Sequence, residues 1–181
     1  MQSNKRVVIS GSPGGGKTSI INGLNNKGYT TFEEYSRSLI TKAQKEGVEN
    51  YFLKDPEAFS NKIFEGRLKQ FHKADQNETS KPLFYDRGVH DTFAYLKAIG
   101  KATENWKKRI ANYTYDFVFL VAPWKEIYTK DAQRLETFEQ AHYYYPFILE
   151  TYSKQHQIIE LPKTSIEERI GIIETHIKSY G

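Results

Sequence analysis

The stretch Gly11-Ser12-Pro13-Gly14-Gly15-Gly16-Lys17-Thr18 decides how the rest of this chain is read. It satisfies G-x-x-x-x-G-K-[ST] at every fixed position. The glycines let backbone N–H groups turn inward around phosphate oxygens without side-chain clashes. Lys17 is then expected to reach the β- and γ-phosphates of a nucleotide, and the Thr18 hydroxyl to ligate Mg²⁺. The flanks agree with this. Lys5-Arg6-Val7-Val8-Ile9-Ser10 reads as a strand, and Thr18-Ser19-Ile20-Ile21-Asn22-Gly23-Leu24 as a helix whose positive end faces the anion. Gly11, Ser12, Pro13, Gly14, Gly15, Gly16, Lys17, Thr18 and Ser19 therefore form the expected nucleotide-binding segment. A chance glycine loop is the competing reading, and the complete match in strand–loop–helix context outweighs it.

Outward from that segment, further apolar runs read as buried strands: Leu83-Phe84-Tyr85, Phe117-Val118-Phe119-Leu120-Val121 and Ile158-Ile159-Glu160-Leu161, with a weaker fifth at Tyr29-Thr30-Thr31-Phe32. Continuous runs rather than strict alternation suit a parallel sheet covered on both faces. Helical patterns lie between them. Asp55-Pro56 reads as an N-cap with proline at the first helical position, and Phe59, Ile63, Phe64, Leu68 and Phe71 keep to one face of the helix that follows. Ser165 and Glu168 have capping-box spacing, with Ile166, Ile170, Ile173 and Ile177 in one stripe behind them. The polar stretch from His72 to Ser80 reads as a helix end and loop, and Pro146 as a kink or restart within a helix. Strands alternating with helices give right-handed βαβ units and an α/β sandwich.

Several polar residues sit where strand tips would meet a ligand. Asp86, ending Leu83-Phe84-Tyr85, is the candidate carboxylate for orienting Mg²⁺, with a helix cap for Val89 onward as the competing reading. Arg87 follows it, either steadying phosphate or substrate or pairing with a surface carboxylate; His90 and Asp91 read as structural. After the weak strand, Phe32-Glu33-Glu34-Tyr35-Ser36-Arg37 offers Glu34 to accept a proton from a substrate hydroxyl and Arg37 to hold a substrate anion, against exposed helix-start charges as the alternative. Asp86 and Glu34 both remain candidates for the base. Trp124 through Arg134 follows the fourth strand, with Lys130 and Arg134 on one helical face; Arg134 is the candidate to meet the γ-phosphate. Trp124 lines a pocket or packs in the core, and Tyr143-Tyr144-Tyr145 reads as packing. None of the five histidines has metal-ligand spacing.

The 181 residues make one ordinary domain, read here as 1–181 with a lid at about 124–140. With 38% hydrophobic and 27% charged residues the chain is neither disordered nor collagen-like. No apolar run approaches the roughly 20 residues that cross a bilayer, and the opening residues lack a cleavable signal layout, so a cytoplasmic location and no membrane insertion are expected. The absence of cysteine excludes disulfides, thiolate metal sites and cysteine nucleophiles together. The net charge of +4 is spread along the chain, which argues for a solvated surface and against a specific nucleic-acid patch. At a pI of about 9.0, weak and salt-dependent nucleic-acid binding is the most that is expected.

Together, Val8-Ile9-Ser10-Gly11-Ser12-Pro13-Gly14-Gly15-Gly16-Lys17-Thr18, Glu34-Tyr35-Ser36-Arg37, Tyr85-Asp86-Arg87-Gly88-Val89-His90-Asp91, Ala122-Pro123-Trp124-Lys125-Glu126-Ile127-Tyr128 and Asp131-Ala132-Gln133-Arg134 resemble a family of small bacterial predicted ATPases, AAA-type P-loop proteins allied to the nicotinamide ribonucleoside kinase domain and distantly similar to deoxynucleoside kinases. The resemblance runs from Arg6 to about Arg169. It implies a P-loop kinase-like three-layer sandwich with a central parallel five-stranded sheet and an arginine-bearing lid. It also implies ATP and Mg²⁺ at Gly14 to Thr18, with Asp86 near the metal and Arg134 in the lid. It names no phosphoryl acceptor.

Two functions follow from the residues. One is a kinase moving the ATP γ-phosphoryl group to a hydroxyl of an unidentified small, nucleoside-like acceptor. The other is an ATPase or nucleotide-dependent switch acting through a protein partner. A GTPase is disfavoured because Asn26-Lys27-Gly28-Tyr29 lacks the acidic residue of N-K-x-D, and a ring-forming motor because the chain is too short for its helical subdomain.

Overall fold

The structure is a computed structural model that describes residues 4–45, 47, 55–76, 81–128 and 137–179. Five strands, β1 (Arg6–Gly11), β2 (Thr30–Phe32), β3 (Leu83–Asp86), β4 (Phe117–Val121) and β5 (Ile158–Leu161), form one sheet in the order β2-β3-β1-β4-β5. Every pairing is parallel. Among the described residues the α-helices are α1 (Lys17–Asn26), α2 (Tyr35–Lys45), α3 (Pro56–Lys73), α4 (Val89–Ala98), α5 (Glu104–Ala111), α6 (Phe138–Ser153) and α7 (Ile166–Ser179).

The unbroken apolar strands are explained by burial on two sides. Val8, Leu83, Tyr85, Val118 and Leu120 pack with Phe64 and Phe71 of α3, Phe93 of α4, Trp106 of α5 and Tyr152 of α6. Their neighbours Val7, Ile9, Phe84, Phe119 and Val121 point the other way, onto Ile20 and Leu24 of α1 and Ile170, Ile173 and Ile177 of α7. The result is a three-layer α/β sandwich, as the strand–helix alternation predicts. Register sets the working edge: Ile9 lies beside Asp86, and Gly11 beside Val121, so the carboxyl ends of β1, β3 and β4 come out side by side. Ligands of open α/β sheets bind at this edge.

The helix starts are where the caps put them. Asp55 accepts a hydrogen bond from the Ala58 N–H at 2.9 Å with Pro56 opening α3. Ser165 and Glu168 exchange side-chain to backbone bonds, each 3.2 Å. Two expectations need correction. Of the kink or restart expected at Pro146, the restart does not occur, because α6 runs through the proline from Phe138 to Ser153. The proline sits on the exposed side, where a helix tolerates a lost bond by tilting carbonyls to water, while Ala141, Ile148 and Tyr152 hold the opposite side in the core. Ile166 leaves the buried stripe and is 39% exposed, since it opens α7 beyond the sheet. Among the described residues no helix is long and apolar enough to cross a membrane.

Candidate functional site

Between β1 and α1 the chain makes a cradle that only glycine can form. At Gly11, φ is 118°, and a Cβ would fall 2.2 Å from the Val121 carbonyl oxygen. The Ser12 N–H donates to that same oxygen at 2.9 Å, tying the loop to β4, while the Ser12 hydroxyl donates to the Ala141 carbonyl of α6 at 3.1 Å. Lys17 opens α1, is 5% exposed, and its ammonium donates to the Ser12 carbonyl at 2.7 Å. Burial, then the charge of Arg87, lowers its pKa to about 8. A cation so placed is short of negative charge, which an anionic ligand supplies.

Asp86 ends β3 opposite this cradle and is 2% exposed. Thr18 Oγ1 donates to its Oδ2 at 3.4 Å, and its Oδ1 is buried with no hydrogen-bond partner among the described residues. Burial, then the nearby Glu34 charge, raises its pKa to about 6. The helix-cap alternative is not realised: α4 is capped at Gly88, whose N–H donates to Asp91 Oδ2 at 2.9 Å. One hydroxyl and one carboxylate with an unpartnered oxygen fit Mg²⁺, which takes few protein ligands and completes its shell with phosphates and water. Among the described residues no group of three or more His, Asp or Glu side chains could hold a metal by itself.

Beside Asp86 lies a buried network. Arg87 has φ 69°, a left-handed backbone unusual for a side chain this large, and its N–H is held by the Ile9 carbonyl at 3.0 Å. Its guanidinium donates from Nε to Glu34 Oε1 at 2.8 Å, and from Nη1 to Asp91 Oδ1 at 2.9 Å and the Gly11 carbonyl at 3.1 Å. Arg87 is thus a half-buried strut between β3, the cradle and two carboxylates, not a surface partner. Asp91 in turn accepts from Ser10 Oγ at 2.5 Å and Tyr152 Oη at 2.6 Å, so its structural reading extends to positioning Arg87. Glu34 also accepts from Ser36 Oγ at 2.8 Å and, longer, from Arg37 Nε at 3.4 Å. Burial alone would raise the Glu34 pKa, but Arg87, Lys17 and Arg67 together hold it far below the usual carboxylate range.

These groups share one cavity of about 1240 Å³. Lys17, Thr18, Glu34, Arg37 and Arg87 line it, whereas Asp86 is not part of its wall. On one side it reaches Trp124, Ile127 and the turn before α7, where Arg169 lies over the Trp124 ring at 4.8 Å and donates to the Gly15 carbonyl at 2.8 Å. On the other it runs between α3, α4 and α6, past Phe59, Ile63, Tyr95 and Tyr144. Trp124 is accordingly a half-buried wall residue. The Tyr143–Tyr145 run is not uniform packing: Tyr143 is exposed and Tyr144 faces the cavity. Lys130 and Arg134 lie outside the described residues. Sequence reading passed over Ser60, Arg67 and Arg169, although the apolar stripe of α3 held the signal: Arg67 is four residues from Ile63 and eight from Phe59, on the same face.

A family described as an AAA domain matches residues 6–169. The chain belongs to this AAA domain family. No curated protein matches the chain significantly. Among solved structures, the family member is similar to deoxyadenosine kinase from M. mycoides bound to dCMP and a flexible dCDP, with a TM-score of 0.68, 16% identity, and coverage of 96% of this chain and 99% of that one. It is similar to the NadR protein in complex with NR, with a TM-score of 0.74, 17% identity and coverage of 98% against 52%, so it spans about half of that chain. Thymidylate kinase from Candida albicans aligns with a TM-score of 0.67, 12% identity and coverage of 98% and 92%. At these identities the likeness is one of fold, and this AAA domain is a P-loop nucleotide-binding domain with a kinase-like architecture.

Proposed function

We propose that this AAA domain is a Mg²⁺-dependent phosphotransferase that moves the γ-phosphoryl group of ATP to a hydroxyl of a small, nucleoside-like acceptor. The observation that carries the reading is the single cavity. Beyond the phosphate cradle it continues past Glu34 and Arg37 into a chamber walled by Phe59, Ile63, Tyr95 and Tyr144, leaving room for a second molecule. That the structural neighbours include proteins named as deoxyadenosine and thymidylate kinases supports the same class.

In this proposal the residues from Gly11 to Ser19 surround the phosphates and Lys17 meets the transferred group. Bound at Thr18 and Asp86, Mg²⁺ would neutralise phosphate charge. The acceptor oxygen attacks the γ-phosphorus, the bond to the β-phosphate oxygen breaks, and the hydroxyl proton passes to Glu34. Glu34 is preferred to Asp86 as that proton's destination because it faces the cavity, and Asp86 does not. Its low basicity is tolerable, since a loose transition state asks for positioning more than for early proton removal. Arg37 and Arg87 act on the acceptor side, Arg87 by holding Glu34. Arg134, in the segment read as a lid at about 124–140, would meet the γ-phosphate. ATP labelled at the γ-phosphate, incubated with Mg²⁺ and a panel of nucleosides, cofactor precursors and sugars, should give acceptor-dependent transfer well above hydrolysis. Hydrolysis with no transfer to any acceptor would instead select the ATPase or partner-directed switch.

A further inference from the structure

The wall of the acceptor chamber carries buried polar atoms that have no hydrogen-bond partner among the described residues. Arg67 lies on the inner face of α3, is 5% exposed and lines the cavity. Its Nη1 donates to Thr92 Oγ1 at 3.2 Å, and its Nε is buried without a hydrogen-bond partner among the described residues. No carboxylate lies within ion-pair distance of it among the described residues, in contrast to Arg37 and Arg87. Ser60, two turns earlier on the same helix, is 1% exposed, its Oγ also has no hydrogen-bond partner among the described residues, and it too lines the cavity. Buried polar atoms are nearly always hydrogen-bonded, and an unpaired buried guanidinium is costly. Arg67 does help hold Glu34 and Asp91 ionised through space. That field effect needs the charge alone and leaves the buried Nε, unpartnered among the described residues, unexplained. The walls beside it, Phe59, Ile63 and Tyr95, are flat or apolar and suit a ring.

We propose that Arg67 and Ser60 form the recognition end of the acceptor pocket, and that they select a neutral heterocyclic nucleoside presenting a ring carbonyl oxygen over a cationic N-alkylpyridinium riboside. The guanidinium donates to the carbonyl, and Ser60 meets the neighbouring ring nitrogen. A pyridinium ring in this position would face the guanidinium charge of Arg67, which has no carboxylate within ion-pair distance among the described residues, and adenine would offer Arg67 an amino group in place of an oxygen. The assignment rests on the phosphotransferase reading and adds to it which class of acceptor is taken.

The test is a competition of acceptors under ATP and Mg²⁺: deoxyuridine, inosine, adenosine and nicotinamide riboside, with kcat/KM measured for each. The oxo-substituted nucleosides should exceed adenosine and the cationic riboside by about tenfold or more, the scale of one hydrogen bond to a charged group. Arg67→Met should raise KM for the oxo-nucleosides about tenfold, leave KM for ATP unchanged, and narrow the discrimination against the cationic riboside. Ser60→Ala should raise the same KM several-fold; as a smaller change, it keeps the test open if Arg67→Met does not fold. Preference of the wild-type protein for adenosine or the cationic riboside would overturn the assignment while leaving phosphoryl transfer intact. So would an unchanged ratio of kcat/KM between oxo-nucleoside and cationic riboside in folded Arg67→Met, or an unchanged KM for the oxo-nucleosides in Ser60→Ala. Hydrolysis without transfer to any acceptor would overturn the phosphotransferase reading itself, and the assignment with it.

Discussion

Asp86 and Glu34 bring the same functional group into opposite settings. Glu34 is surrounded by cations and stays ionised. Asp86 is buried beside Glu34 and holds its proton up to about pH 6. Because this pKa lies above the ordinary 3.8, the folded state binds the extra proton, and Asp86 withdraws stability as pH rises from about 4 through 6. Asp86→Asn lacks that loss. Without divalent cation, denaturant unfolding should show it gaining on the wild type by about 1–3 kcal/mol between pH 4 and 7.5, from the two-unit displacement. His90 works in the other direction: burial lowers its pKa to about 4, so stability falls as pH drops from about 6.5 to 4. It is present in both proteins and cancels in the difference. An equal gap at both pH values would contradict the placement of Asp86. For Lys17, whose ammonium has only the Ser12 carbonyl as a hydrogen-bond partner among the described residues, Lys17→Ala should abolish detectable ATP binding by calorimetry with the melting temperature preserved.

Among the elements, α6 makes the clearest separate prediction. Pro146 is exposed and removes one hydrogen bond to the carbonyl of residue 142, so Pro146→Ala should raise stability by about 1–2 kcal/mol, less than the ~3 kcal/mol full cost of an interior proline because the helix already accommodates it. Thermal unfolding will show it, and a fall in melting temperature would mean that the residue shapes the packing of Tyr145 and Phe147. Elements of this kind were mostly legible in advance, because strand burial and capping are written in neighbouring residues: Asp55-Pro56 opens α3 and Ser165 with Glu168 opens α7. The same locality explains what was not legible. Whether a helix continues through a proline depends on which face the residue occupies, which only the finished sheet determines. The cradle and Asp86 were readable from spacing, whereas Arg87 meets Glu34 across 53 residues and Arg169 meets Gly15 across 154, contacts that no local pattern encodes.

Taken as a whole, the molecule places its most reactive loop at the end of β1, the earliest strand in the chain and the middle one in the sheet. Both partners of β1 arrive late, at residues 83–86 and 117–121, and the bond from Ser12 to Val121 closes the cradle only once β4 is present. During vectorial synthesis on the ribosome the glycine loop therefore remains an open, unshaped segment until more than a hundred further residues have emerged. A fragment ending before Phe117 should bind no nucleotide, while one extended through α7 should, and equilibrium dialysis can tell them apart. By that outcome, a nascent copy of this chain would be kept from capturing nucleotide until its central strands have been joined.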